Sequence, residues 1–204
     1  NYDISGGLQI ICFNILTKYP LYHYKEFDHL YVAYPLIFSY GYDPVAKKAL
    51  RKEIASDLGK SIDEVKALLT AYSNGSQKKV GDSDKLKEFY TESDQLRREV
   101  VATIAQYESD LLQSAIEQSK NDFPEDTDWQ SIEKEDTAQQ SRDKASVFFF
   151  IWTYFEKQIR DAMLSVVNDG IPVHDAIYSR EVIDYKVFEE TVLNTTGFDV
   201  KIDG

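Results

Sequence analysis

Ile171-Pro172-Val173-His174-Asp175-Ala176-Ile177-Tyr178-Ser179 is the stretch on which the fold turns. Two short β-prone runs, Ile171 to His174 and Ala176 to Ser179, meet around Asp175, which predicts a hairpin. A carboxylate between apolar strands is costly to bury unless something pairs with it, and a divalent cation is an economical partner. The opening residues Tyr2-Asp3-Ile4-Ser5-Gly6-Gly7 hold a second such aspartate, at the end of a short strand before a glycine turn. If the two strands are neighbours, Asp3 and Asp175 can share two Mg²⁺ ions about 3.5–4 Å apart, as in-line displacement at phosphorus requires. The residues alone leave a plainer alternative open, with Asp3 a strand-end cap and Asp175 a turn residue.

Outward from the hairpin, a helix from about Lys144 to Asn168 and the Asp169-Gly170 turn precede it. A helix from about Tyr185 to Leu193, a turn at Gly197 and a strand from Phe198 to Ile202 follow it. Near the start, Leu8 to Lys18 is an apolar helix closed by Pro20, whereas the tyrosine-rich stretch Leu21 to Tyr42 gives no clear element. Asp43-Pro44 opens a helix that runs to about Leu58 and stops at Gly59. Ser61 and Glu64 form a capping box for a helix that reaches about Tyr72 and ends at Asn74-Gly75. Ser83 opens a long helical stretch with Leu86, Phe89, Tyr90, Leu96, Val100, Ile104 and Tyr107 at helical spacing. Asn121 to Asp143 is polar and acidic and reads as an exposed loop or insertion.

With 204 residues, 14 Tyr, 11 Phe and 2 Trp, the chain is too aromatic to be disordered. Its 23 Lys+Arg against 35 Asp+Glu give a net charge of −12, which makes it a poor candidate for holding nucleic acid through bulk charge alone. The charge is uneven. Lys47, Lys48, Arg51, Lys52, Lys60, Lys66, Lys78 and Lys79 make one region basic and Glu125 to Asp136 is acidic, so the basic residues are expected to face a cleft beside Asp3 and Asp175. The lone Cys12 excludes an internal disulfide, suits a reducing compartment and reads as a buried apolar residue. His23 and His29 lack a third ligand and read as packing or surface residues. The longest apolar run, Val147 to Tyr154, is too short to span a bilayer, for which about 20 residues are needed. These features predict a cytoplasmic protein with no membrane partner, and a first residue Asn rather than Met suggests a piece of a longer one.

The segment Ala145 to Gly204, with its long helix, His174-Asp175 hairpin, second helix and last strand, resembles the C-terminal palm of family A polymerases. Asp3-Ile4-Ser5-Gly6-Gly7-Leu8-Gln9 resembles motif A of that family, with a flavour closer to single-subunit, phage-type RNA polymerases. Ile62 to Gly75 falls where motif B belongs, Lys66 being followed eight and nine positions later by Asn74 and Gly75. Three departures stand out: the family's arginine before the motif B lysine falls on Ile62, its tyrosine is replaced by Asn74, and the motif A turn is one residue shorter than in phage-type RNA polymerases.

The resemblance implies an α+β fold: a polymerase palm from residues 1–20 and 144–204, a small antiparallel sheet with helices. A mostly helical, fingers-like insertion would occupy 21–143, including the acidic loop 121–143. The thumb and N-terminal domain would lie upstream or on another chain. The implied activity is template-directed nucleotidyl transfer, as in a DNA-directed RNA polymerase, located in the host cytoplasm if phage-encoded. Asp3, Asp175 and the Ile4 carbonyl would bind two Mg²⁺ ions, Lys66 would neutralise triphosphate charge and His174 would position the primer terminus. Tyr72, Asn74, Gly75 and Gln9 would contact the nucleotide. The partners would be a nucleic-acid template, the nascent strand and nucleoside triphosphates.

A family A DNA polymerase is the alternative within the class. Gly7-Leu8-Gln9 lacks the glutamate that closes off space for a ribose 2′-hydroxyl in those enzymes, which favours ribonucleotides. From another class, Ala49 to Lys66 has the rhythm of a helix-turn-helix, and so of a non-catalytic DNA-binding module. Asp63 and Glu64, opening its recognition helix, count against that reading.

Overall fold

A computed structural model of the chain describes residues 2–4, 7–19, 21, 27–77, 81–124, 127–131, 138–173 and 176–203, with backbone alone for residues 3, 27 and 138–143. The described residues are mostly helical and carry a small antiparallel sheet, an α+β arrangement. Its strands are β1 (Tyr2–Ile4), β2 (Ile171–Val173), β3 (Ala176–Tyr178) and β4 (Ile202–Asp203), ordered β2-β3-β1-β4. The strand from the start of the chain therefore sits inside the sheet, between two strands from its end.

Local signals account for most of the helices. The apolar run after β1 forms α1 (Gly7–Lys18), whose residues Gln9 to Leu16 are all buried, as expected of a helix apolar on every side. In α4 (Pro44–Leu58) the Asp43 carboxylate accepts from the backbone N–H of Val45 and Ala46, and Gly59 closes the helix at φ 61°. In α5 (Ile62–Ser73) the capping box of Ser61 and Glu64 is complete in both directions. Ser83 caps α6 (Asp84–Tyr107).

Several elements differ from the sequence expectation. Within the tyrosine-rich stretch lie α2 (Phe27–Ala33) and α3 (Pro35–Tyr42). The N-terminus of α3 is satisfied from far away, since the Glu92 carboxylate on α6 accepts from the N–H of Leu36 at 3.0 Å and of Ile37 at 2.9 Å. A further helix, α7 (Ser109–Ser119), follows α6 after a break at Glu108. The helix expected from Lys144 begins earlier, as α8 (Ala138–Leu164). The described part of the acidic region is not simply exposed, because Phe123 and Trp129 meet edge to face at 4.8 Å and pack on the core.

The last helix, α9 (Tyr185–Thr196), ends at Gly197 with φ 76°. β4 is much shorter than the strand expected over Phe198 to Ile202. Asn14 of α1 explains the difference: its amide donates to the Asp199 carbonyl at 2.9 Å and its oxygen accepts from the Asp199 N–H at 2.7 Å. A side chain thus takes the hydrogen bonds that a neighbouring strand would supply. Phe198 and Val200 are buried, Phe198 stacking on Phe155 at 5.2 Å.

α1 packs against α2, α3, α6 and α8, while α8 and α9 cover β3 and β4 respectively. One continuous apolar core runs from Tyr2 and Ile4 through α1, α6 and α8 to Ile177 and Ile202. Tyr2 ties β1 to α9, its ring 4.6 Å from Phe188 and its hydroxyl accepting from the Ile183 N–H at 2.7 Å. Among the described residues, no helix is long and apolar enough to cross a membrane.

Candidate active site

The sheet register decides what lies near Asp3. Its backbone pairs on one side with Ala176 of β3 and on the other with Asp203 of β4. Ala176 follows Asp175 directly in the chain, and Val173, which pairs with Ala176, precedes His174. His174 and Asp175 themselves lie outside the described residues, as does the side chain of Asp3. Ile4 is buried and its backbone pairs with Ile202. Asp203, in register with Asp3, was not singled out from the sequence; only the pairing of the last strand with the first reveals it.

Asp3, Asp175 and Asp203 carry carboxylates and Ile4 a main-chain carbonyl, the hard oxygen ligands that Mg²⁺ takes. Among the described residues, no group of three or more His, Cys, Asp or Glu is placed to hold a metal ion. Asp3, His174 and Asp175 are outside the side chains so described. In chemical type these residues suit Mg²⁺, and the register of β1 with β3 sets the Asp3 backbone opposite Ala176.

The second half of the expected site gathers at the C-terminus of α5. Gln9, in the first turn of α1, is buried, and its side-chain amide donates to the Ser73 hydroxyl at 2.9 Å. The chain after Ser73 forms a Schellman closure: Gly75 N–H donates to the Tyr72 carbonyl at 3.0 Å and Ser76 N–H to the Ala71 carbonyl at 2.9 Å. Gly75 is at φ 94°, and a Cβ there would stand 2.3 Å from the Ala145 Cβ. Backbone conformation and close approach both call for glycine at this position.

Tyr72 is buried, its ring edge-on to Tyr90 at 5.2 Å. Its carbonyl accepts a 2.6 Å hydrogen bond from Arg97 of α6. The Asn74 amide donates to the Thr70 carbonyl at 3.0 Å, and its buried side-chain oxygen has no hydrogen-bond partner among the described residues. Lys66 is exposed. Seven residues separate it from Ser73, so it lies on the same face of α5, about 10 Å further toward the helix N-terminus.

The structure brings Gln9, Tyr72, Asn74 and Gly75 together and leaves Lys66 two turns away. The fixed center of this group, Arg97, has no counterpart in the sequence reading. Its signal was nonetheless available: Arg97, like Glu92 and Glu99, is a charged residue on the buried phase of α6. Arg97 also donates to Asp94 at 2.8 Å, and Asp94 accepts from Arg98 at 2.9 Å. Burial pulls the Arg97 guanidinium below its ordinary value, with the Asp94 carboxylate opposing that shift.

In the basic region, Lys47, Arg51 and Lys60 make local contacts. Lys47 sits 5.4 Å over the Tyr40 ring, and Arg51 donates to the Tyr40 hydroxyl at 2.7 Å. Lys60 pairs with Glu64 at 3.6 Å. α4 packs on α3, α5 and α6. Lys78 and Lys79 lie outside the described residues, as does His23; His29 is exposed. Cys12 is fully buried, and burial pushes its thiol well above the ordinary range, as expected of an inert apolar cysteine.

Compared with known proteins, the chain matches no family model, no curated protein and no solved structure.

Proposed function

We propose that the chain carries the palm and fingers of a template-directed nucleotidyltransferase, most closely a DNA-directed RNA polymerase of the single-subunit, phage-type class. The observation that carries this reading is the position of β1. Asp3 stands in register with Ala176, the neighbour of Asp175, although the whole helical segment separates them in sequence. Residues 1–20 and 144–204 supply the sheet and its covering helices, the palm, and 21–143 the helical fingers-like part. In this reading Asp3, Asp175 and the Ile4 carbonyl hold two Mg²⁺ ions, which when bound acidify a 3′-hydroxyl and neutralise the departing pyrophosphate.

Lys66 neutralises triphosphate charge, and His174 orients the primer terminus. The turn from Tyr72 to Gly75, joined to α1 through Gln9, supports the nucleotide, with half-buried Asn74 its accessible member. Its partners are a nucleic-acid template, the nascent strand, nucleoside triphosphates and further polymerase domains.

The test is primer extension by the complete protein with Mg²⁺ and either rNTPs or dNTPs. Extension with rNTPs, lost in Asp3→Asn and Asp175→Asn, is the expected result. Preference for dNTPs would make it a family A DNA polymerase. No extension with either, together with metal-independent duplex binding that survives both substitutions, would instead favour a helix-turn-helix module built on α4 and α5.

A further inference from the structure

We propose that Arg97 is a positioning residue: it clamps the C-terminal turn of α5 to α6 and so sets the geometry of Tyr72, Asn74 and Gly75, the residues assigned to the nucleotide, an inference that rests on the polymerase reading. Arg97 is 5% exposed. One arm of its guanidinium donates to the Tyr72 carbonyl at 2.6 Å and the other to Asp94 at 2.8 Å. The Tyr72 carbonyl already accepts from Gly75, so Arg97 grips the bond that closes the Schellman turn. The carbonyls of a helix C-terminus carry its negative pole, and a cation there is favourable.

Three helices converge on Tyr72, Ser73 and Gly75. α1 reaches Ser73 through Gln9, α6 reaches Tyr72 through Arg97, and Ala145 of α8 abuts Gly75. A joint required only for stability would be made at less cost by an apolar side chain, because burying a guanidinium demands compensation at each donor. What arginine adds is direction: a planar fork fixes the Tyr72 carbonyl relative to Asp94, and with it the heading of the turn. In the polymerase reading this turn holds the residues assigned to the incoming nucleotide. Arg97 touches no substrate and acts through them.

The test uses the complete protein with Arg97→Lys, Arg97→Met and Asp94→Asn, read by primer-extension kinetics and by amide hydrogen exchange over Tyr72 to Ser76. Lysine keeps the charge but cannot hold both partners, so Arg97→Lys should fold. Its KM for nucleotide should rise about tenfold with kcat within about twofold, and discrimination between rNTP and dNTP should fall. The Gly75 and Ser76 amides should exchange about tenfold faster, while those of the α1 core keep wild-type rates. Arg97→Met should exceed these changes, and Asp94→Asn should fall between. Unchanged KM and discrimination alongside a lower melting temperature would overturn the proposal and leave Arg97 a packing residue. Unchanged exchange at Gly75 and Ser76 would overturn the clamp itself. Absence of extension by the wild-type protein would instead defeat the polymerase reading, and the nucleotide role of Arg97 with it.

Discussion

The Gln9 amide and the Ser73 hydroxyl, 64 residues apart, meet at 2.9 Å in the interior and join the helix after β1 to the end of α5. Both groups are buried, so removing either leaves the other without its bond. Gln9→Ala and Ser73→Ala should each cost about 1–3 kcal/mol. The double mutant should cost less than their sum by roughly 0.5–1.5 kcal/mol, the coupling of the pair. Urea denaturation of the four proteins measures it, and strict additivity would show that the bond contributes nothing.

Gly75 and Gly59 separate two demands on glycine. Both are left-handed, but a Cβ at Gly59 meets nothing within 4 Å, whereas at Gly75 it meets Ala145 at 2.3 Å. Gly59→Ala should therefore cost only about 1 kcal/mol of backbone strain, and Gly75→Ala at least about 2 kcal/mol. Ala145→Gly in the Gly75→Ala background should recover the steric part and leave the conformational part. Thermal unfolding of the three variants distinguishes the two, and equal losses at both glycines would refute the steric argument.

Carboxylates at the sheet bear on metal binding. If Asp3 and Asp175 hold Mg²⁺, the ion should raise the melting temperature, by an amount equivalent to about 2.7 kcal/mol at a hundredfold excess over Kd. Asp3→Asn and Asp175→Asn should each abolish that increment. Asp203→Asn removes a like charge in register with Asp3 and should stabilise the metal-free protein by roughly 0.2–1 kcal/mol. Calorimetry with Mg²⁺ and with EDTA tests all three, and an Mg²⁺ increment surviving in Asp3→Asn would sink the assignment.

Glu92 gives a pH dependence of known sign. Burial, outweighing the hydrogen bonds from Ile37 and Leu36, raises its carboxyl above the ordinary value. A group with a raised value in the fold binds its proton more tightly there than in the unfolded chain. Its contribution therefore falls as pH climbs from about 4 through the raised value. Glu92→Gln should flatten that part of the stability profile while keeping an acceptor for α3. Chemical denaturation between about pH 4 and pH 7 would show it, and parallel profiles for the two proteins would contradict it.

What the sequence disclosed was local. Asp43, Gly59, Ser61 with Glu64, and Ser83 act on neighbours within four residues, and each does what its type and position imply. The hairpin and the glycine after α9 were legible for the same reason. α3 was not, because its N-terminus is capped by Glu92 on another helix. The true length of β4 was hidden because Asn14, 185 residues earlier, takes the hydrogen bonds of Asp199. Of the candidate site, the turn at Asn74-Gly75 could be found by its neighbours in sequence. Arg97 is recognised only when the Tyr72 carbonyl it grips is known.

The central place of β1 also bears on how the molecule is made. Its two partners, Ala176 and Asp203, leave the ribosome long after Asp3 does. At 5–20 residues per second, synthesis of the intervening chain takes on the order of ten seconds or more. Until then β1 has both edges open, while the helices between can already form from local contacts. The sheet closes last, as a long-range event, and the residues at Asp3 come into register only once the final strand has been delivered. A nascent chain arrested before residue 176 should carry protected amides in α4, α5 and α6 and none in β1.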